Sequence, residues 1–344
     1  MKEDEKPFLS VMNGTAVARP PIWLMRQAGR YLPEYRTHRA RAGSFWAMCM
    51  NSHLATEITL QPIRRFGFDA AIIFSDILTV PYALGRAVRF EEGKGPSLDP
   101  LTSTSELDES HDAWREKLEP AYETIRSVRR QLPPEIALLG FAGAPWTLAT
   151  YLVAGRGGDE QRAAKLWGYR EPESFASLLT LIGGCVAEHL VAQIEAGADT
   201  VQIFDSWAGG LPDEAYLRWV VEPTRRVVDI VRQTYPQAKI IGFPRASSLT
   251  GYELYAAKAG VDGVSVDTGA PIRWLSDFAG KTIVQGNLDP VLLLAGGRTM
   301  QKAVAETLLQ MRDRHFIFNL GHGVLPDTPV EHVTELVRLV RAEQ

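Results

Sequence analysis

The stretch PIWLMRQAGRYLPEYR, residues 21–36, joins an apolar run to a cluster of arginines. Its first five residues are apolar enough to form a buried strand, and Arg26, Arg30 and Arg36 follow it around Gly29. Arginine keeps its positive charge at any working pH and binds carboxylates through paired donors. The pattern therefore predicts a strand whose carboxyl end faces an anionic ligand, with carboxylate and phosphate both open as ligand classes.

Seven more apolar runs follow along the chain, rich in β-branched residues and without the polar alternation of a half-exposed strand. Such runs are typical of parallel strands buried on both faces. Helical patterns lie between most of them, the clearest at residues 173–196, which end before Gly197. The eight runs are PIWLM (21–25), AAIIF (70–74), IALLGF (136–141), TVQIF (200–204), KIIGF (239–243), GVSV (263–266), TIVQG (282–286) and FIFNL (316–320).

Eight buried strands that alternate with helices predict an α/β fold, a (β/α)8 TIM barrel. A doubly wound open sheet is the alternative, because strand order cannot be read from a sequence. We found no linker or shift in composition that marks a boundary, so we expect a single domain over residues 1–344, with a flexible polar N-terminus at about 1–10.

Residues beyond a minimal barrel of roughly 250 residues are expected in two insertions, at 77–133 and 205–238. A small hairpin is predicted within the first, at 88–98. The last helix is expected to open with a capping box at Thr328 and Glu331, with Pro329 as its first residue.

The composition is that of an ordinary globular protein, with 344 residues, 45% hydrophobic and 23% charged. The net charge of −4 gives no basic field of the kind that nucleic-acid binders carry. Cys49 and Cys185 form neither a disulfide framework nor a zinc pattern, which favours a reducing, cytoplasmic setting. The polar start is unlike a signal peptide, and we expect no apolar span of 18 residues, so no membrane association is predicted.

Polar residues stand where most of the predicted strands end, the place where barrels of this kind carry their chemistry. The chain has no phosphate-binding loop, no dinucleotide fingerprint and no HExxH motif, so nothing in it demands a metal or nucleotide cofactor. The strand-end residues are Arg26, Gln27, Arg30, Asp76, Tyr151, Asp205, Ser206, Trp207, Asp267, Asp289 and His322.

Each of these residues also has a plain structural interpretation. Asp76 after Ser75 could cap a helix, since aspartate is a common cap. His322 could be a buried histidine satisfied by the backbone, and Tyr151 and Ser206 could be a core aromatic and a turn residue. We interpret Asp205, Asp267 and Asp289 as loop or cap residues, with a place in the lining of the cleft as the alternative for Asp205. Trp146 is interpreted as a core aromatic, and Cys49 and Cys185 as buried small apolar residues.

The chain resembles a known family, that of uroporphyrinogen decarboxylase. The stretches 21–36 and 140–155 (GFAGAPWTLATYLVAG) resemble its two signatures, which are long and specific. The resemblance covers about residues 20–340. Further matching segments are FSDILTVPYALG (74–85), FDSWAGGL (204–211), QGNLDP (285–290) and NLGHGVLPDTP (319–329).

The resemblance implies a single-domain barrel, a homodimer and a reaction without cofactor. That reaction removes four acetate carboxyls from uroporphyrinogen III to give coproporphyrinogen III in haem biosynthesis. Ser206 stands where other members have threonine, and Trp207 where some have histidine. The implied substrate contacts are Arg26, Gln27, Ala28, Gly29, Arg30, Asp76, Tyr151, Ser206 and His322.

The implied roles make physical sense for a substrate with eight carboxylates around four pyrroles. Asp76 would accept the pyrrole N–H groups and stabilise a cationic ring while carbon dioxide leaves. Arg26 would position or deliver a proton. Tyr151, Ser206 and His322 would hydrogen-bond the substrate rim, and His322 could add positive charge.

Two other functions stay open at the level of sequence. Related barrels act as methyltransferases with zinc held by His and Cys, although this chain has no clustered His/Cys set. A tetrapyrrole carrier could use the same contacts without chemistry.

Overall fold

The computed structural model describes residues 6–91, 95–157 and 160–342. Seven of its strands form one parallel sheet in the order β1-β4-β5-β6-β7-β8-β9, and β2 and β3 form an antiparallel hairpin. The strands are β1 (Ala70–Ile72), β2 (Arg89–Glu91), β3 (Gly95–Ser97), β4 (Ala137–Gly143), β5 (Thr200–Asp205), β6 (Lys239–Pro244), β7 (Gly263–Ser265), β8 (Ile283–Leu288) and β9 (Phe316–Leu320).

Helices follow the strands of the sheet, and a π-helical turn at Leu217–Val221 joins two of them into one long element. A short 3₁₀ turn lies at Thr104–Glu106. The α-helices are α1 (Pro7–Met12), α2 (Pro33–Ala42), α3 (Phe45–Cys49), α4 (Ser52–Phe66), α5 (Thr79–Ala83), α6 (His111–Gln131), α7 (Pro145–Ala154), α8 (Arg162–Arg170), α9 (Pro172–Glu195), α10 (Asp213–Tyr216), α11 (Glu222–Thr234), α12 (Leu249–Lys258), α13 (Ile272–Ala279), α14 (Pro290–Ala295), α15 (Gly297–Gln310) and α16 (Val330–Arg341).

The first apolar run lies between the two edge strands of this sheet. On one side, Phe318 N donates to Pro21 O at 2.9 Å and Trp23 N donates to Phe318 O at 3.4 Å. On the other side, Asp69 N donates to Ile22 O at 2.9 Å, and Ile22 N donates to the Asp69 carboxylate at 2.8 Å. The run therefore fills the eighth position around the barrel, between β9 and β1.

The predicted strand at 21–25 is nevertheless only a single bridge, between Ile22 and Phe318. The backbone N–H of Ile22 points towards β1, where it donates to the Asp69 side chain and not to a strand carbonyl. A side-chain partner satisfies the backbone donor without extending the ladder. The other seven predicted runs all form strands, and the fold class is confirmed.

Polar side chains inside the barrel link this first run to the opposite strands. Trp23 Nε1 donates to Gln285 Oε1 at 2.9 Å. Gln285 Nε2 in turn donates to Gln202 Oε1 and to Ser265 Oγ, each at 3.1 Å. Gln202 Nε2 has no partner among the described residues, so the network is incomplete, but its bonds still link the first run to β5, β7 and β8.

Three aspartates each directly precede a strand at the amino end of the barrel. We call Asp69, Asp199 and Asp262 the amino-end aspartates. Each accepts a hydrogen bond from a backbone N–H of a neighbouring segment, at 2.8, 2.7 and 2.8 Å respectively. They occur in the sequence as FDAAI, ADTVQI and VDGVSV, directly ahead of β1, β5 and β7.

Basic side chains cover all three carboxylates. Asp199 pairs with Lys6 Nζ at 2.6 Å and with Arg129 at 2.8 Å, and Asp262 pairs with Arg232 at 2.9 Å. Asp69 is reached by Arg19 and Arg341. These partly buried pairs tie the first helix and the outer helices to the strands, a contribution to stability and not to chemistry.

Several local predictions are confirmed. The hairpin expected at 88–98 is β2 and β3, although residues 92–94 lie outside the described part of the chain. The helix expected at 173–196 is α9, and Gly197 follows its end with a φ of 116°. Both insertions carry additional helices, as expected.

Three predictions are wrong. No capping box opens α16, because the Thr328 side chain is buried with its hydroxyl unpaired, and the helix begins at Val330 with Pro329 as its cap. The N-terminus is not flexible throughout 1–10, because residues 7–10 belong to α1 and bury Phe8; residues 1–5 lie outside the described part.

The third correction concerns α9. Contrary to expectation, this helix contains a window long and apolar enough to cross a membrane, with a mean hydropathy of 1.7. In the fold, 61% of that window is buried, and the helix packs on α6, α7 and α11. Its apolar character is that of a core helix.

We expect Asp199→Ala to lower the free energy of unfolding by about 2–4 kcal/mol, because it leaves a backbone donor and two cations without their partner. Urea unfolding at neutral pH measures the change. Asp229→Ala is the matched control, since Asp229 pairs only with Arg225 on an exposed helix face and should cost less than about 1 kcal/mol. Equal losses in the two variants would show that the amino-end aspartates have no special role.

Candidate active site

Arg26 lies at the carboxyl end of the first run, held there by the end of β9 and by the loop that follows it. Met25 N donates to Asn319 Oδ1 at 3.0 Å, and Val324 N donates to Met25 O at 2.9 Å. Arg26 itself has a φ of 59°, a left-handed conformation that residues other than glycine seldom adopt. Its side chain lies so close to Gly323 that a Cβ at that position would overlap the Arg26 Cγ and Cδ.

Asp76 follows β1 and is half-buried in the same mouth. Leu78 N donates to its Oδ1 at 2.9 Å. Burial raises the pKa of Asp76 to about 6, against the opposing effects of the Leu78 N–H and of the Arg26 charge. The carboxylate therefore supports the turn into α5, as a cap would, and it also lies within electrostatic reach of Arg26.

The Tyr151 side chain, on α7, completes a group with Arg26 and Asp76. Burial raises its pKa, and the Asp76 charge adds to that rise while Arg26 opposes it. The Trp207 ring lies beside it, with 6.2 Å between ring centroids. The indole N–H of Trp207 favours the ionised hydroxyl but makes no hydrogen bond of good geometry, so this buried donor is unpaired.

Ser206 is presented by a turn that a buried carboxyl supports. Asp205 is fully buried, and Thr147 Oγ1 donates to its Oδ1 at 2.5 Å. Trp207 N donates to the same Thr147 hydroxyl at 3.1 Å. Burial raises the pKa of Asp205 to about 7. The interpretation of Asp205 as a loop or cap residue is therefore wrong, because it lies beneath the turn that carries Ser206.

His322 lies half-buried between two glycines of the loop after β9. Burial lowers its pKa to about 4, and the charges of Arg26 and Arg245 lower it further in the same direction. These effects favour the neutral imidazole at pH 7 in the protein alone, and a positive charge on His322 beside the substrate's carboxylates stays a prediction. Within residues 6–91, 95–157 and 160–342, the His322 ring forms no hydrogen bond, so the interpretation of a histidine satisfied by the backbone is not supported.

The remaining candidates of the Arg26–Arg30 segment differ in orientation. The Gln27 side chain is 1% exposed and bonds Leu24 N and Ala70 O, so it orders the loop and does not face the cleft. Ala28 and Gly29 are half-buried, and Arg30 is exposed.

The simple interpretations of several other residues are confirmed. Asp289 caps α14, accepting from Val291 N at 2.8 Å. Trp146 is a fully buried core aromatic, and Cys49 and Cys185 are buried and unpaired by disulfide.

Arg245 was missed by the sequence analysis. It directly follows β6, and its half-buried guanidinium lowers the pKa values of Arg26 and His322. The signal was present, because KIIGFPR repeats the pattern of IWLMR, an apolar run with an arginine at its carboxyl end. The sequence analysis assigned no strand-end residue to this run.

A cleft of about 470 Å³ opens beside Arg245 at this end of the barrel. The ends of β6, β7 and β9 supply its walls. Its lining residues are Arg245, Ala246, Ser247, Ser248, Leu249, Asp267, Thr268, Gly269, Gly321 and His322.

Among the residues that the structure describes, no three His, Cys, Asp or Glu side chains group together as metal ligands would. The site instead brings together a carboxylate, a phenol, a neutral imidazole and several guanidinium groups. Such a set can bind an anion and stabilise a cation at its centre.

Comparisons with known proteins agree with the family resemblance of the sequence. The family model described as uroporphyrinogen decarboxylase (URO-D) matches residues 3–343. The protein named uroporphyrinogen decarboxylase from Chelativorans sp. (strain BNC1) is 49% identical over 337 residues, covering 98% of each chain. The protein of the same name from Brucella canis is 50% identical over 336 residues, again covering 98% of each.

Solved structures share the fold. A methyltransferase from Methanosarcina mazei superimposes with a TM-score of 0.81 at 19% identity, covering 98% of each chain. A B12-independent methionine synthase from Shewanella sp. W3-18-1 gives a TM-score of 0.57 at 12% identity, covering 84% of this chain and 87% of its own. At these identities the likeness concerns the barrel alone.

We expect Gly323→Ala to displace the Arg26 side chain while leaving the fold intact, because the new methyl group would occupy the space of Cγ and Cδ. Crystal structures of the variant and the parent measure the displacement, and thermal unfolding measures the fold. Gly184→Ala on α9 is the control, since its methyl group meets nothing within 4 Å. An unmoved Arg26 in the Gly323 variant would contradict the claim that this glycine sets the position of the arginine.

Proposed function

The chain belongs to the uroporphyrinogen decarboxylase family, and we propose that it removes the four acetate carboxyls of uroporphyrinogen III, without a cofactor, to give coproporphyrinogen III. It would thus act as a carboxy-lyase of haem and tetrapyrrole biosynthesis. The observation that carries the proposal is the position of Asp76, a half-buried carboxylate within electrostatic reach of Arg26 and Tyr151 at the mouth of the barrel.

Substrate binding follows from charge. Uroporphyrinogen carries eight carboxylates, and the guanidinium groups of Arg26 and Arg30 form no ion pair or hydrogen bond with an acidic side chain within the described residues. Ala28 and Gly29 would contact the substrate through their backbone. Gln27 would contribute only by ordering this loop, because its side chain is buried against Leu24 and Ala70.

Catalysis would centre on Asp76. The four pyrrole N–H groups of the flexible macrocycle can converge on one carboxylate, which accepts them when ionised. In each round a pyrrole carbon takes up a proton, and the ring becomes a cation that accepts the electrons of the breaking C–C bond. Carbon dioxide leaves, the resulting methylene takes up a proton to become methyl, and the ring proton is lost. Asp76 stabilises the cationic ring throughout.

Arg26 would position or deliver the proton for the methylene carbon. Burial lowers its pKa, Asp76 opposes that effect, and Arg245 reinforces it. Tyr151, Ser206 and the neutral His322 would hydrogen-bond the rim of the substrate. Trp207 packs against Tyr151 and would limit access to that side.

We extend the proposal to a homodimer that works in the cytoplasm. The family resemblance supports the dimer, and the two buried cysteines, far apart in sequence and unpaired, fit a reducing compartment. Sedimentation velocity at micromolar concentration tests the dimer directly.

The two alternative functions make different demands. A zinc methyltransferase needs a cluster of His and Cys ligands, and none is found among the described residues. A carrier would bind the reduced macrocycle and release it unchanged. Anaerobic incubation with uroporphyrinogen III, followed by separation by carboxyl number, distinguishes the outcomes: product with four fewer carboxyls supports the decarboxylase, and unchanged ligand supports the carrier.

We expect Asp76→Asn to lower kcat by about 10²–10³-fold while KM changes by less than about tenfold, because the amide cannot balance a cationic ring. The anaerobic assay measures both constants. Asp289→Asn is the matched control, another strand-end aspartate that caps a helix, and should keep near-normal turnover. Near-normal turnover in the Asp76 variant would refute the role of the carboxylate.

The pH dependence provides a separate check. Since the pKa of Asp76 is raised to about 6 and the ionised form is required, kcat/KM should fall about tenfold per unit of pH below about 6. A flat profile of kcat/KM between pH 5 and 7 would count against an ionised Asp76.

A further inference from the structure

Arg245 is held by its backbone, while its side chain is left without a partner. Its N–H donates to Asp205 O and to Phe243 O, both at 3.0 Å. The next residue, Ala246, has a φ of 61° and donates its N–H to the Asp267 carboxylate. Within the described part of the chain, the Arg245 guanidinium makes no hydrogen bond or ion pair.

The acid nearest in the cleft does not serve as its counter-ion. Asp267 uses one carboxylate oxygen for Ala246 N and the other for Gly269 N, the latter at 2.8 Å. These bonds tie the loop after β6 to the loop after β7. A half-buried cation without a counter-ion is unfavourable, so a fold that retains one at a strand end is prepared for an anion.

The position of Arg245 is complementary to that of Arg26. The first run and β6 lie four positions apart around a barrel of eight, so the two arginines stand on opposite sides of the mouth. The charges of both arginines lower the pKa of His322, which lies in the same cleft as Arg245. A macrocycle centred on Asp76 would therefore extend its periphery towards Arg245.

We propose that Arg245 binds a peripheral carboxylate of the substrate, in a subsite made with Thr268 and His322. We call this the Arg245 subsite. It rests on the proposed function for the identity of its ligand, and it makes Arg245 a determinant of specificity for a polycarboxylate that spans the mouth.

A glycine at position 321 allows two loops at this subsite to pack closely against each other. A Cβ at Gly321 would overlap Thr268 N and Oγ1, so this glycine lets the 267–269 loop approach the 321–323 loop. The Thr268 side chain is exposed to the cleft. The Ser247 hydroxyl is half-buried and donates to Pro244 O at 2.8 Å, so it orders the loop after β6 and is not a donor to a ligand. Thr268 and His322 thus offer neutral polar groups in the same cleft as the guanidinium, an arrangement suited to a carboxylate.

Equilibrium binding tests the subsite without turnover. The oxidised octacarboxylate uroporphyrin is the probe, and its fluorescence is followed on titration with wild type, Arg245→Gln, Arg245→Lys and Arg312→Gln. We expect Arg245→Gln to weaken binding by about tenfold or more and Arg245→Lys to weaken it less, because lysine keeps the charge but not the paired donors. Arg312→Gln is the charge-matched control, exposed between α15 and β9 at the opposite end of the barrel.

Two further readouts separate binding from folding. The melting temperature of Arg245→Gln should stay close to that of wild type, because the guanidinium bonds no protein group. Added salt should weaken binding less in Arg245→Gln than in wild type, because one screened attraction is gone. The subsite is wrong if Arg245→Gln binds the probe as tightly as Arg312→Gln does.

Anaerobic kinetics then identify which carboxylate is bound. KM for uroporphyrinogen should rise about tenfold in Arg245→Gln, with kcat within about threefold of wild type. If coproporphyrinogen, which keeps only propionates, loses inhibitory strength equally, Arg245 binds a propionate; if its inhibition is unchanged, Arg245 binds an acetate. A wild type that binds the probe but releases no carbon dioxide would refute the proposed function and leave the subsite to be judged by binding.

Discussion

The hydrogen bond from Ile22 N to the Asp69 carboxylate is the constraint on which the site depends. It holds the first run beside β1 while Phe318 holds it beside β9, so residues 21–23 close the barrel. Because the chain turns immediately afterwards, this closure also fixes where Arg26 emerges. Arg19 and Arg341 cover the same carboxylate, so the position of a residue at the mouth is set by an ion cluster at the opposite end.

The two ends of the barrel treat charge in opposite ways. At the amino end, each of the amino-end aspartates has a backbone N–H and at least one cation as partners. At the carboxyl end, Arg26 and Arg245 have no acidic partner within hydrogen-bonding distance among the described residues, and Asp76 is raised in pKa by burial. Paired charges stabilise the fold, whereas unpaired ones are groups kept available for a ligand.

The sequence predicted the architecture well, because buried parallel strands leave a strong apolar signal that needs no tertiary information. It failed where a distant side chain decided the outcome. Nothing in PIWLM indicates that Asp69 will replace a strand partner, and nothing in Thr328 indicates that burial will prevent it from capping. Gln27 lies between Arg26 and Arg30 in sequence, yet its amide is directed to Leu24 and Ala70. Arg245 could have been predicted from the sequence, because it follows an apolar run of the same type as the first run, residues 21–25.

The guanidinium groups of the site repel one another, and this repulsion explains why the site suits an anionic ligand. Arg26 and Arg245 both act against protonation of His322, and Arg245 lowers the pKa of Arg26, so positive charge is concentrated at the mouth. On the proposed function, a polyanionic macrocycle would relieve that repulsion at its rim, while Asp76 would balance the cation that forms at its centre. Binding and catalysis would then draw on charges of opposite sign at different radii of one cavity. A polar solvent would have to reorganise to provide this arrangement, whereas the barrel holds it fixed before the substrate arrives.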